Sequence, residues 1–507
     1  MSCRKEKTSW DTEWVGPLVS DSLSVLDYVN DSTLALNSDN SVDIALDRMI
    51  GSINLSNFIQ IPDTSIFQSF TLNVNSLELL PGTNFVDEVK EHEFDLEDVV
   101  LREARLKSGR AKITVFNPIN TGVFFKVQLP GVEKNGFPLT REELVPSAQN
   151  GTKGTKTFEI DLSKHMADMT GASGDLANRL QSRMSVRTDP QGESVVMTNQ
   201  DTVYFKIELN DMKADYAMGY FGKRDISDSV DVDVEELAKI VDGSVNFNTV
   251  DFDLKLYNGI KTMGQLKIPF FKSINANGNE LALNHPDFGE LLNIDAAQGY
   301  WSSHTPAERT ISFTNGNSNI ESFLENLGSQ YRLGYHIKIN PWGNISNGTD
   351  RIYPSSRLVL NLRTKFPMDL ALNDLVYVDT FDFSVNNKRE LIELKSGSFT
   401  LEYKSTFPFG GQLNLVLLGE NGKKLGVISA NEVVQSAPMG TDGQSHKDIQ
   451  GEVNFPFEET ISAKLDETEK IIFKFKVFSE NDGINQVYAN ARFAFLLKTN
   501  FKLNSEL

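Results

Sequence analysis

The sequence predicts a mainly β fold built from tandem β-sandwiches with a few short helices. Alternating apolar and polar runs recur along the chain, such as Ala111 to Asn117 and Ser398 to Tyr403. That period of two is the mark of a half-buried strand. Asn-Gly pairs at Asn135-Gly136, Asn277-Gly278 and Asn421-Gly422 punctuate these runs, and this pair accepts the positive φ that tight hairpin turns demand. A degenerate threefold repeat joins the two signals.

Each copy opens on a short glycine motif followed by a strand. Leu106-Lys107-Ser108-Gly109 and Leu394-Lys395-Ser396-Gly397 introduce the runs named above, and Asp242-Gly243 introduces Ser244 to Tyr257. A break at Gly, Pro or Asn follows, then a second strand over Val123 to Leu129, Gln265 to Phe271 or Gln412 to Leu418, and then the Asn-Gly turn. Downstream, copy one continues with a strand at Thr157 to Leu162, a helix expected over Gly174 to Arg183 and a strand at Met184 to Arg187. Copy two keeps that order with Thr310 to Thr314, a helix at Asn319 to Leu327 and Tyr335 to Asn340. Both close on a long strand carrying a related tetrad, Leu209-Asn210-Asp211-Met212 and Leu372-Asn373-Asp374-Leu375. The third copy is looser, with a helix expected over Glu459 to Glu469 and strands at Ile471 to Val477 and Asn490 to Phe501.

These copies divide the chain into a tether over residues 1–15, an N-terminal β region over 16–105, and sandwich repeats over 106–230, 231–390 and 391–507. The sandwiches are expected to be immunoglobulin-like or LEA-like. Strand patterns before residue 105, such as Ser69 to Val74, do not match the repeat; they form a separate β unit or lend strands to the first sandwich. Val234 to Val241, stopped by Asp242-Gly243, has helical spacing and bridges the first two repeats. Ser227 to Asp233 and Ser436 to Gln450 read as linker or loop.

Composition narrows the function classes. With 49 Lys plus Arg against 69 Asp plus Glu, the formal charge of −20 disfavours nucleic acid and anionic lipid surfaces. The 33 Phe and 12 Tyr are too many for a disordered chain. A single cysteine excludes disulfide stapling, so the cores must hold the fold.

Catalytic and metal motifs are absent. No His-Glu-x-x-His, nucleophile elbow or phosphate loop occurs. His285 beside Asp287 and Glu290 reads as a capped turn, and Asp228, Asp231 and Asp233 lack the glycine and distal glutamate of an EF-hand loop. No metal, cofactor or catalytic residue is therefore expected, although paired carboxylates of a glycosidase leave no linear trace. Two loops, Gly299-Tyr300-Trp301-Ser302 and Asn340-Pro341-Trp342-Gly343, set large rings among small polar residues. Tyr300, Trp301 and Trp342 are candidates for anchoring a partner or stacking on a sugar ring, and Trp10 and Trp14 for an intermolecular contact near the N-terminus.

The lone thiol is Cys3, preceded by Ser2 and followed by Arg4-Lys5-Glu6-Lys7. It resembles the lipid-attachment cysteine of a bacterial lipoprotein after removal of its signal peptide. Together with Trp10-Asp11-Thr12-Glu13-Trp14-Val15-Gly16-Pro17-Leu18, the tandem β repeats and Tyr216-Ala217-Met218-Gly219-Tyr220-Phe221-Gly222, this is similar to the large multidomain outer-membrane lipoproteins of Bacteroidota. The resemblance implies a non-enzymatic, lipid-anchored protein at the cell surface. It would serve as a binding or scaffold subunit of an outer-membrane protein complex for protein insertion, secretion or nutrient import. A surface glycan-binding protein using Trp301 or Trp342 is the alternative reading, and a glycoside hydrolase a third.

Overall fold

The computed structural model describes residues 9–26, 34–54, 62–300, 303–383, 392–440, 444–445, 447–479 and 483–506. It is mainly β, with several antiparallel sheets packed as sandwiches and only short helices.

The first sandwich pairs one layer of Thr64–Thr71, Thr202–Tyr220, Val100–Asn117 and Gly154–Asp161 with a second of Asn84–Glu93, Arg179–Thr188, Val123–Lys134 and Phe137–Val145. Met166–Asp168 pairs with a strand of each layer and closes one edge. Alternation puts Ile113, Val115, Phe125, Val127, Phe205 and Ile207 inside, and the Phe125 and Phe205 rings meet at 5.2 Å between centroids. The second sandwich sets Val42–Asn54, Arg357–Pro367, Phe252–Asn258 and Ala307–Phe313 against Arg224–Asp233, Gly328–Ile339, Gly264–Asn275 and Glu280–Ala282. The third sets Ser9–Ser24, Arg492–Glu506, Ile392–Ser405 and Ile449–Phe457 against Asp369–Asp382, Lys470–Ser479, Phe409–Leu418 and Lys424–Ser429.

Strand order is the same in all three units. One layer of each runs from an N-terminal strand to the closing strand, the opening strand and the strand after the hairpin. The segment expected as a separate β region, or as strands lent to the first sandwich, serves the first sandwich and both of the others. Thr64–Thr71 joins the first, Val42–Asn54 the second and Ser9–Ser24 the third. The expected tether over 1–15 has accordingly entered a strand by Ser9, which pairs with Glu506.

The repeat motifs have physical counterparts. Asn135-Gly136 and Asn421-Gly422 hold positive φ at both residues, whereas only Gly278 does so in the second copy. The tetrads mark bulges: Asp211 (φ 56°) and Asp374 (φ 53°) are left-handed at shifts in register opposite Ser108-Gly109 and Asp242-Gly243. A Cβ at Gly243 would collide with the Asp374 carbonyl oxygen, so the glycine is what lets the bulged strand close in.

Several local expectations are corrected. Residues 174–183 form no helix; positive φ at Gly171, Gly174 and Asn178 turns the chain into the strand Arg179–Thr188. Helix in the other copies is limited to Ile320–Glu325 and Glu459–Leu465, and the bridge before Gly243 to one turn, Glu235–Ala238. Residues 227–233 are not linker but part of the strand Arg224–Asp233 at a sheet edge. Their acidic side chains face outward, with Asp231 2.7 Å from the Arg332 guanidinium and Asp233 accepting from Gln330.

Candidate functional site

Where the second sandwich meets the first, three segments enclose a cleft of about 540 Å³. The first is the turn after Phe252–Asn258. Asn258 is buried there, donating its amide to the carbonyls of Thr262 (3.0 Å) and Asp295 (2.8 Å) and accepting from the Ile260 N–H (3.1 Å). One side chain thus positions both the Lys261–Thr262 wall and the Asp295–Ala297 wall. The first sandwich uses the same device: Asn117 donates to the Thr121 and Pro146 carbonyls and accepts from Ile119 N–H. In the third, Ser405 stands at that point and, among the described residues, accepts from Phe407 N–H alone.

The remaining wall is the loop from Asn340 to Asp350. Asn340 and Gly343 take positive φ; Asn340 accepts from the Thr262 hydroxyl and donates to the Gly222 carbonyl of the first sandwich. Asp350–Ile352 then pairs with Gly219–Ala217 of the closing strand of the first sandwich, while Lys261 and Arg351 exchange backbone hydrogen bonds. The cleft is therefore welded to both units by backbone pairing.

Asp350 lies on this wall and is only 4% exposed. Burial pushes its carboxyl above the ordinary range, against the pull of the nearby Ser346 hydroxyl, Asn340 amide and Thr262 hydroxyl. Its Oδ2 has no hydrogen-bond partner, and neither has the buried Ser346 Oγ; both residues line this cleft. Because the folded state holds the Asp350 proton more tightly than the unfolded chain, its contribution to stability is greatest at low pH. That contribution is lost as pH rises through the raised folded value. An Asp350→Asn chain is expected to be about 1 kcal/mol more stable at pH 7. The gain should shrink as pH falls through the window between the raised and the ordinary carboxyl value. Melting curves of both chains from pH 4 to 8 check this, and a difference independent of pH refutes it.

The two aromatic loops come together here. Trp342, 46% exposed, lines the cleft, and 69% exposed Tyr300 directly follows Gln298 and Gly299, which also line it. Tyr300 stands in the hairpin of Gln298–Tyr300 and Ser303–Thr305, with the Arg351 guanidinium 5.9 Å over its ring. The hairpin is held by Tyr353, which stacks on His304 at 4.4 Å and donates its hydroxyl to the Gly299 carbonyl. Trp301 and Cys3 lie outside the described residues. Trp10 and Trp14 fall in the first strand, opposite Ser505 and Phe501 and away from the cleft segments in the sheet order. His285 forms the expected turn, its Nδ1 accepting from Asp287 N–H at 3.1 Å. Among the described residues no three His, Cys, Asp or Glu side chains converge as metal ligands.

Asn340 stands out in the sequence only as part of the Trp342 loop, and Asp350, Thr262 and Asn258 do not stand out at all. One signal for part of the set was available, the parallel between Phe116-Asn117-Pro118-Ile119-Asn120-Thr121 and Tyr257-Asn258-Gly259-Ile260-Lys261-Thr262.

Fold and cleft together define a multi-unit β-sandwich protein with a built cleft at a junction between units. No family model matches the chain, and no curated protein does. Among solved structures it is similar to a protein from Parabacteroides distasonis described as secreted, at 11% identity over 98% of this chain and 100% of that one, with a TM-score of 0.27. A structure of Broad Bean Stain Virus matches at 11% identity over 57% of this chain and 90% of that one, with a TM-score of 0.13. Neither superposition is close enough to define a shared fold.

Proposed function

We propose that this chain is a non-enzymatic binding subunit of an outer-membrane protein complex, anchored through a lipid on Cys3 and facing the cell exterior. The observation that carries the reading is the course of the N-terminal segment. Ser9, close behind Cys3, pairs with Glu506, and the same segment then joins the second and first sandwiches in turn. An anchor at Cys3 would hold the third sandwich against the membrane on a short leash and present the first two as an ordered scaffold. The net charge of −20 keeps their surfaces off anionic head groups. Subunits of insertion, secretion or nutrient-import machines need such a surface and no active site.

The test is metabolic labelling with an alkyne fatty acid and a detergent pull-down, comparing wild type with Cys3→Ala. Wild type should carry the label and retain stoichiometric outer-membrane partners, while Cys3→Ala should be unlabelled and released from the membrane. An unlabelled wild-type chain without partners ends the reading.

A second reading, surface glycan binding, is favoured by the meeting of the Tyr300 and Trp342 loops at one cleft.

A further inference from the structure

We propose that the cleft bounded by Lys261–Met263, Asp295–Gly299 and the loop from Asn340 to Asp350 binds one or two neutral sugar rings. In that arrangement the Trp342 indole packs on the apolar face of a ring, and the Asp350 carboxyl accepts a hydrogen bond from a neighbouring hydroxyl. This deepens the glycan-binding reading and rests on it.

Four observations point to that ligand. Its volume of about 540 Å³ falls in the range of small-molecule sites. Trp342 is 46% exposed on a loop whose backbone is fixed by Asn340 and by Asp350–Ile352, so the ring is presented at little ordering cost. The Asp350 carboxyl lines the cleft short of donors, its Oδ2 having none, and a sugar's adjacent hydroxyls supply donors that an apolar ligand lacks. Finally, the charges balance: Lys261 stands with Asp295 and Asp350 in the lining, Arg351 adjoins Asp350 in the chain, and Lys223 Cε lies against Gly343. A cation meets Lys261, and an anion meets the two carboxylates. A neutral polyhydroxyl ligand meets neither penalty.

The experiment uses the full chain with glucose, galactose, mannose, N-acetylglucosamine, maltose and cellobiose, read by saturation-transfer NMR and titration calorimetry. At least one sugar should bind. Trp342→Ala should weaken it about tenfold or more, with Trp342→Phe intermediate. Asp350→Asn should weaken it about ten- to hundredfold while melting no lower than wild type. Phe137→Ala, an exposed ring at the hairpin of the first sandwich, should leave it unchanged. Sugar binding that ignores both Trp342 and Asp350 overturns the assignment to this cleft and leaves the glycan reading standing. No binding by any sugar overturns both.

Discussion

An Asn258→Ala chain is expected to lose about 3–5 kcal/mol of stability. The side chain is 1% exposed and satisfies three backbone groups at once: two carbonyls, at 3.0 and 2.8 Å, and one N–H at 3.1 Å. Alanine removes all three partners and leaves a void in their place. Each buried group stranded without water costs about 1–3 kcal/mol. Aspartate is no rescue, because it sets a carboxylate oxygen against a carbonyl oxygen where the amide had donated. Asn117→Ala should cost the same in the first sandwich, whereas Ser405→Ala, losing a single bond to Phe407 N–H, should cost about 1 kcal/mol. Urea midpoints of the three variants check the ranking. An Asn258→Ala loss below about 1 kcal/mol would mean that water reaches those carbonyls and that the side chain does not hold the cleft walls.

Removal of residues 1–26 should be as damaging, and confined to the third sandwich. The lost strand pairs from Ser9 opposite Glu506 to Ser24 opposite Arg492. Its Gly16 carbonyl accepts from the buried Thr499 hydroxyl at 3.2 Å, and Val25 belongs to a small core with Val42, Val487, Ala489 and Ala491. At a net of roughly 1 kcal/mol per hydrogen bond, the loss is about 5 kcal/mol or more. It also uncovers the whole of Arg492–Glu506 as an unpaired edge. The truncated chain should exchange amide hydrogens rapidly over residues 392–506, keep protection in the first sandwich, and associate at high concentration. A synthetic peptide of residues 8–26 added in trans should restore protection, as strand addition does elsewhere. Native-like protection without the peptide would show the strand to be dispensable.

Local features were legible in the sequence because their causes are local. The Asn-Gly turns follow from which residues tolerate positive φ, and the recurring tetrads proved to be bulges at Asp211 and Asp374. Alternation marked most strands but could not say which strand each one meets. Nothing within residues 9–24 specifies a partner at 492–506, since that choice is made by complementary faces brought together across the whole chain. Ser227 to Asp233 misled for a different reason. Its Asp residues suggested a solvated linker, although Val230 and Val232 between them, like Ile226 just before, pack on the core as an edge strand should. The apparent helix at 174–183 yielded to left-handed turns at Gly174 and Asn178. At the cleft, exposed rings in small-residue loops could be read from composition. Asp350 could not, because one aspartate among 69 acids acquires its character only from burial.

The reverse threading of the N-terminal segment also sets a timetable. On a ribosome, Ser9–Ser24 is made before Val42–Asn54 and Thr64–Thr71 but waits longest, for Arg492–Glu506, while Val42–Asn54 waits for Arg357–Pro367 and Thr64–Thr71 for Thr202–Tyr220. Pairings this distant in sequence form slowly. They are also nested: Thr64–Thr71 finds its partner first, Val42–Asn54 next and Ser9–Ser24 after both. The earliest of the three strands therefore stays strand-competent and unclaimed the longest. What locks it in place is a strand more than 450 residues further along the chain.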